Sequence, residues 1–233
     1  MSYTKIMAYR KVAFAPDEYY HICNRGNRKQ DIFLDDHDRA RFLFLLLYGQ
    51  SSAPFINTGK YVNVYIKTGK FRVKSGTIDK IIKNRIVELV AFCLMDNHFH
   101  IILRCVSDSG VSKYMQKILN AYTKYFNTKY EEVGHLFSGP FRAVHIDSNE
   151  QLVYTSAYVH KNPNEISKWR NKVEKYPWSS YGDYVSENRW GLLLEQKIIL
   201  DQFQDSKDYL KWCKSCVAKE NLSEEYLKEI DAV

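Results

Sequence analysis

Met95-Asp96-Asn97-His98-Phe99-His100-Ile101-Ile102-Leu103 is the stretch on which the fold turns. Side chains alternate across a strand, so His98, His100, Ile102 and Arg104 share one face and Phe99, Ile101, Leu103 and Cys105 the other. The second face is wholly apolar and must meet a core. The first holds two imidazoles side by side and reads as the less buried face. Residues 86–95 form a strongly apolar strand that Asp96-Asn97 breaks, and 98–105 resumes as the next.

Outward from this centre the expected elements alternate. Residues 18–24 read as a short strand followed by a polar turn at 25–28. Residues 35–48 read as a helix with acids in its first turn. Residues 61–66 and 70–74 alternate with period two around Thr68-Gly69, which predicts a hairpin. In 112–130 the apolar positions Met115, Ile118, Leu119, Tyr122 and Phe126 follow helical spacing. A short strand over 141–146 and a helix over 150–161 follow, the helix stopping near Pro163. Beyond an irregular YPWSSY segment come two acidic helices. The expected organisation is one catalytic domain over 1–185, carrying a basic insertion at 57–85, and an acidic helical extension over 186–233.

Composition narrows the function. The 233 residues carry 34 Lys and Arg against 27 Asp and Glu, and 15% are aromatic. A net charge of +7 favours an anionic partner, nucleic acid being the commonest, and aromatic rings suit stacking on unpaired bases. The charge is uneven. Residues 57–85 hold eight Lys and Arg against Asp79 alone, whereas 191–233 hold six Lys against nine acids. An anion-binding surface is therefore expected in the first two thirds. No stretch approaches the roughly 20 apolar residues of a membrane span. The opening MSYTKIMAYRKV lacks the apolar core of a signal peptide, and a cytoplasmic, nucleoid-associated protein is expected. Five Cys argue against a disulfide framework, and Cys213-x-x-Cys216 lacks the second pair of a zinc site.

Adjacent same-face imidazoles at His98 and His100 can take two positions on one divalent cation. Tyr158 and Asn162, four residues apart, project from one helix face. They deliver a phenol and an amide oxygen to the same place, a combination suited to phosphodiester cleavage. Taken singly, the pairs also read as two polar-face histidines and as a packing tyrosine with a capping asparagine.

The ordered set of motifs resembles one family. His98-Phe99-His100 is similar to the His-hydrophobic-His motif of single-tyrosine (HUH-type) transposases. The longer pattern resembles their REP-associated tyrosine transposase branch, over roughly residues 17–182. It comprises Tyr20-His21-Ile22-Cys23-Asn24-Arg25-Gly26-Asn27, the 95–103 stretch, Tyr125-Phe126-Asn127, Gly134-His135-Leu136-Phe137 and Phe141-Arg142. Tyr158-Val159-His160-Lys161-Asn162-Pro163 and Tyr176-Pro177-Trp178-Ser179-Ser180-Tyr181 complete it. The resemblance implies an α+β, ferredoxin-like sandwich whose antiparallel sheet carries the His pair, with helices on one side. It implies nicking of single-stranded DNA beside a hairpin, with the tyrosine joined to the 5′-phosphate. Carried over, Tyr158 is the nucleophile, and His98, His100 and Asn162 hold magnesium or manganese. Asp96 stands where the family commonly has Pro, and 51–85 is longer than the family's usual route.

Further DNA contacts are expected from Arg25 and Arg28 around Gly26, from Lys67, Lys70, Arg72 and Lys74 in the insertion, from Lys113, Lys117 and Lys124 on one helix flank, and from Arg142. Lys60 and Arg72 are expected on facing strands of the predicted hairpin. Tyr122 and Tyr125 are rival nucleophiles, but Tyr122 lies on its helix's apolar stripe. His145 reads as a surface histidine, and His160 points away from Tyr158. A non-catalytic nucleic-acid-binding module, a rolling-circle-type nickase and a water-using metallo-phosphodiesterase remain alternatives, as do monomer and homodimer.

Overall fold

The computed structural model describes residues 12–231; the N-terminal segment read for a targeting signal lies almost entirely outside them. Four strands, β1 (Tyr19–Arg25), β2 (Val87–Leu94), β3 (His98–Cys105) and β4 (Arg142–Ile146), form one antiparallel sheet in the order β2-β3-β1-β4. Between β1 and β2 run α1 (Asp36–Tyr48), α2 (Thr58–Thr68) and α3 (Thr77–Lys83). Then α4 (Gly110–Tyr130) joins β3 to β4 and α5 (Asn149–Lys161) follows β4. This is the βαββαβ order of a ferredoxin-like sheet, as the sequence predicts.

The expected elements fall close to their places. Asp35 caps α1, accepting from the Asp38 amide while the Asp38 carboxylate accepts from the Asp35 amide. Asp38 is fully buried and also bonds Lys129, Tyr125 and Tyr130, which ties α1 to α4. Phe99 from β3 packs on Phe42 of α1 at 4.9 Å between ring centroids, and Phe42 on Tyr122 of α4 at 4.9 Å. The Tyr122 hydroxyl donates to the Ile32 carbonyl, so this tyrosine belongs to the core.

Two expectations need correction. Residues 58–68 form a helix, and the predicted hairpin is absent. Thr58, Val62 and Tyr65 are the buried positions of α2, and Tyr65 stacks on Phe71 at 4.3 Å. Gly69 has φ +70°, the left-handed geometry that closes a helix C-terminus. Lys60 therefore lies on a helix and Arg72 in the chain after it. Helices also cover both sheet faces. α1 and α4 lie on the Phe99 face, while α5 lies on the histidine face with Tyr158 against His21 and His100.

Residues beyond 180 fold back onto the molecule through α6 (Tyr181–Val185), α7 (Lys197–Leu200), α8 (Ser206–Ser215) and α9 (Glu224–Asp231). The Lys161 ammonium donates to the Cys213 and Cys216 carbonyls at 3.2 and 2.6 Å. The Tyr226 hydroxyl lies within 3.0 Å of His21 Nδ1 and 2.9 Å of Thr155 Oγ1. Both Cys213 and Cys216 are buried free thiols. Among the described residues no helix is long and apolar enough to cross a membrane.

Candidate active site

β1 and β3 pair with Cys23 opposite His100, Arg25 opposite His98 and His21 opposite Ile102. Facing residues lie on one side of a sheet, so His21, Cys23 and Arg25 join the two histidines of β3. Gly26 ends β1 where no larger residue fits, because a Cβ there would come within 2.1 Å of the Gln30 carbonyl oxygen. The turn between β2 and β3 is held from outside. The Asp96 carbonyl accepts from the Ile32 and Phe33 amides, and the Asp96 carboxylate pairs with Arg39. Aspartate thus anchors this turn, and His98 opens the strand after it.

The two rings of the pair meet edge to face with centroids 5.1 Å apart. His98 Nδ1 lies 2.7 Å from Asn97 Oδ1, and His100 Nδ1 lies 2.9 Å from His21 Nε2. His21 was missing from the predicted set. It is fully buried, and burial pushes it down to about 3, so it is neutral. Burial, and then the neighbouring His21 and His98, hold His100 well below the ordinary imidazole range. The only hint in the sequence is a histidine inside a strand of apolar neighbours. Its meaning needs the non-local pairing of β1 with β3.

The face is the less buried of the two, as the sequence predicts, with His98 and Arg104 half-buried, but its centre is covered. His100 is 4% exposed, Tyr158 7% and Asn162 8%. The Tyr158 ring lies 5.5 Å from that of His100 and 5.8 Å from that of His21. Asn162 follows the last turn of α5 with helical angles, despite Pro163 after it, and its Nδ2 donates to the Tyr158 carbonyl at 3.0 Å. A cavity of about 340 Å³ touches Tyr158, Asn162 and residues 216–219. Lys219 sets its ammonium 5.6 Å from the Tyr158 ring centroid. Its charge, like that of Arg25, acts on His100. Nothing in the acidic C-terminal sequence marks Lys219 as a member of this site. His160, as expected, turns away, to Tyr209 and Ser180.

The other predicted cations scatter. Arg28, Lys67, Lys70, Arg72, Lys74, Lys113 and Lys124 are exposed. Arg142 reaches the Glu229 carbonyl at 3.5 Å. Lys117 is committed within the protein: its ammonium donates to the Ser51 and Ala53 carbonyls and sits over Phe55. His145 pairs with Glu18 at 2.7 Å.

A ferredoxin-like sheet thus carries two histidines on one strand, with a tyrosine on the helix above them. Residues 50–162, just under half of the chain, match the family model described as "Transposase IS200 like". The solved structure of a REP-associated tyrosine transposase bound to a REP hairpin is similar, with a TM-score of 0.49 and 15% identity. The match covers 82% of this chain and 92% of that one. No curated protein matches the chain.

Proposed function

We propose that the protein nicks single-stranded DNA beside a hairpin and transfers the strand through a covalent bond to Tyr158. The observation that carries this is the contact of the Tyr158 ring with His100, with Asn162 one helical turn away. In the reaction the phenol loses its proton to solvent and its oxygen attacks phosphorus. The bond from phosphorus to the 3′-oxygen breaks, and that oxygen leaves with its electron pair and takes up a proton. The products are a 5′-phosphotyrosine and a free 3′-hydroxyl. Phosphodiester energy is conserved, so a second 3′-hydroxyl can reverse the step on another strand.

His98, His100 and Asn162 fit a divalent cation of the magnesium or manganese type, with imidazole nitrogen and amide oxygen as donors. Among the described residues no three His, Cys, Asp or Glu side chains cluster, and in this reading the amide oxygen of Asn162 is the third protein donor beside the His pair. Bound there, the cation would neutralise phosphate charge and polarise the reacting bond. His100 Nδ1 faces His21, so Nε2 is the nitrogen that would meet the cation. The remaining protons then have one direction. His100 Nδ1–H donates to His21 Nε2, His21 Nδ1–H donates to the Tyr226 oxygen, and the Tyr226 hydroxyl donates to Thr155 Oγ1. His21 is thus a positioning residue that fixes the ring of His100. Arg25 adds charge beside the scissile phosphate.

The test is incubation of hairpin-bearing single strands with manganese and the protein, resolved on a denaturing gel. A protein–DNA adduct is expected from the wild type, and none from Tyr158→Phe, which still binds the strand. An adduct of equal yield from the variant would place the nucleophile elsewhere. Cleavage without any adduct would favour water as the nucleophile.

A further inference from the structure

A second groove, of about 480 Å³, opens between α2, the first turn of α1 and residues 166–178. Tyr65, Trp169, Tyr176 and Trp178 give it aromatic walls, and Arg39 and Asp96 lie in it. Trp169 is half-buried on an irregular surface segment, edge to face with Tyr176 at 5.5 Å. The ammonium groups of Lys168 and Lys172 stand 5.3 and 5.7 Å from its ring centroid. An indole placed there is poorly used as core and well placed as a stacking plate.

The charges give the groove a direction. Asp36 and Asp96 line it and repel phosphate, whereas Lys168 and Lys172 flank the half-buried indole. Arg39, paired with Asp96, also keeps a buried Nε–H without an acceptor. A nucleotide would therefore enter base first, its ring against Trp169 and its phosphate outside with the lysines. The groove and the site draw on neighbouring stretches of chain. Asp96 lies two residues before His98, at most about 7 Å along the chain. The turn over 162–166 is shared, since Asn162, Asn164 and Glu165 border the Tyr158 cavity and Ile166 borders the groove.

We propose that this groove binds one unpaired base of the DNA strand whose scissile phosphate lies at Tyr158, with Trp169 as its stacking partner. This rests on the strand-transfer reading above. Stacking on an aromatic ring is worth about tenfold in affinity per base.

The experiment measures binding alone, by fluorescence anisotropy without added metal, on the full chain. The probe is a labelled hairpin strand and a set of copies carrying an abasic site at each unpaired position in turn. For the wild type, one abasic position should weaken binding about tenfold. Trp169→Ala should weaken the intact strand by the same factor and lose nothing more at that position. Trp169→Phe, which keeps a stacking ring, should restore the wild-type pattern. The proposal is overturned if Trp169→Ala binds the intact strand like the wild type, or if its abasic profile is unchanged. An adduct at Tyr158 without this coupling would sink the groove and leave the strand-transfer reading standing. The coupling without any adduct would do the reverse, and failure to bind any strand would end both.

Discussion

The two faces of the sheet are almost equally buried and chemically opposite. On one, Phe99, Ile101, Leu103 and Cys105 meet Phe42, Tyr122 and their neighbours in aromatic and aliphatic packing. On the other, His21, His100, Thr155 and Tyr226 form a chain of buried polar groups under α5 and α9. Burying polar groups is at best neutral for stability against a packed apolar core, and each bond in the chain must be made. Two helices, α5 and α9, supply the partners that complete this chain.

The sharpest way to break this comparison is to cut each face in turn. Phe99→Ala should lower unfolding free energy by about 3–5 kcal/mol, because a fully buried ring leaves a cavity between three elements. Chemical denaturation would measure it. A loss under about 1 kcal/mol would mean that this face is not the structural one.

The next effect is smaller and lies on the other face. Tyr226→Phe removes a hydroxyl shared between His21 and Thr155. It should cost about 1–3 kcal/mol, the range for a buried partner left unsatisfied. The same denaturation series reads it, and no change would show that the polar chain is not load-sharing in the folded state.

These faces were unequally legible. The alternation of 98–105 assigned both faces of β3, and the break at Asp96-Asn97 placed the turn, because strand parity is a local property. The helical spacing from Met115 to Phe126 was local too. What sequence could not give was cover. That α5 and residues 216–231 close over the histidines, and that His21 stands beside His100, depend on contacts 79 to 205 residues apart. The insertion misled for a different reason. Tyr61-Val62-Asn63-Val64-Tyr65-Ile66 alternates like a strand and is rich in β-branched residues, but Val62 and Tyr65 also carry the three-residue spacing of a buried helix stripe. Packing against Phe44 and Phe71 decided between the two.

The third effect lies off both faces. Lys67, Lys70, Arg72 and Lys74 are exposed and belong to neither core nor site. If they grip DNA, neutralising all four should weaken binding and flatten its salt dependence by about two to three in slope, at roughly 0.7 per phosphate. Adduct formation on saturating strand should hardly change. An unaltered affinity and slope would make this charge a solvated surface and nothing more.

The division of labour between the faces is tested most directly at the His pair. Manganese is titrated by calorimetry into the wild type and into His98→Ala combined with His100→Ala, and each protein is then melted. The account predicts that the wild type binds one ion, that the double variant binds none, and that it still unfolds cooperatively. Asn162→Ala should bind more weakly than wild type, yet better than the double variant, since an amide oxygen contributes less than imidazole. Equal manganese affinity in the wild type and the double variant would contradict the account, because the histidine face would then hold no metal.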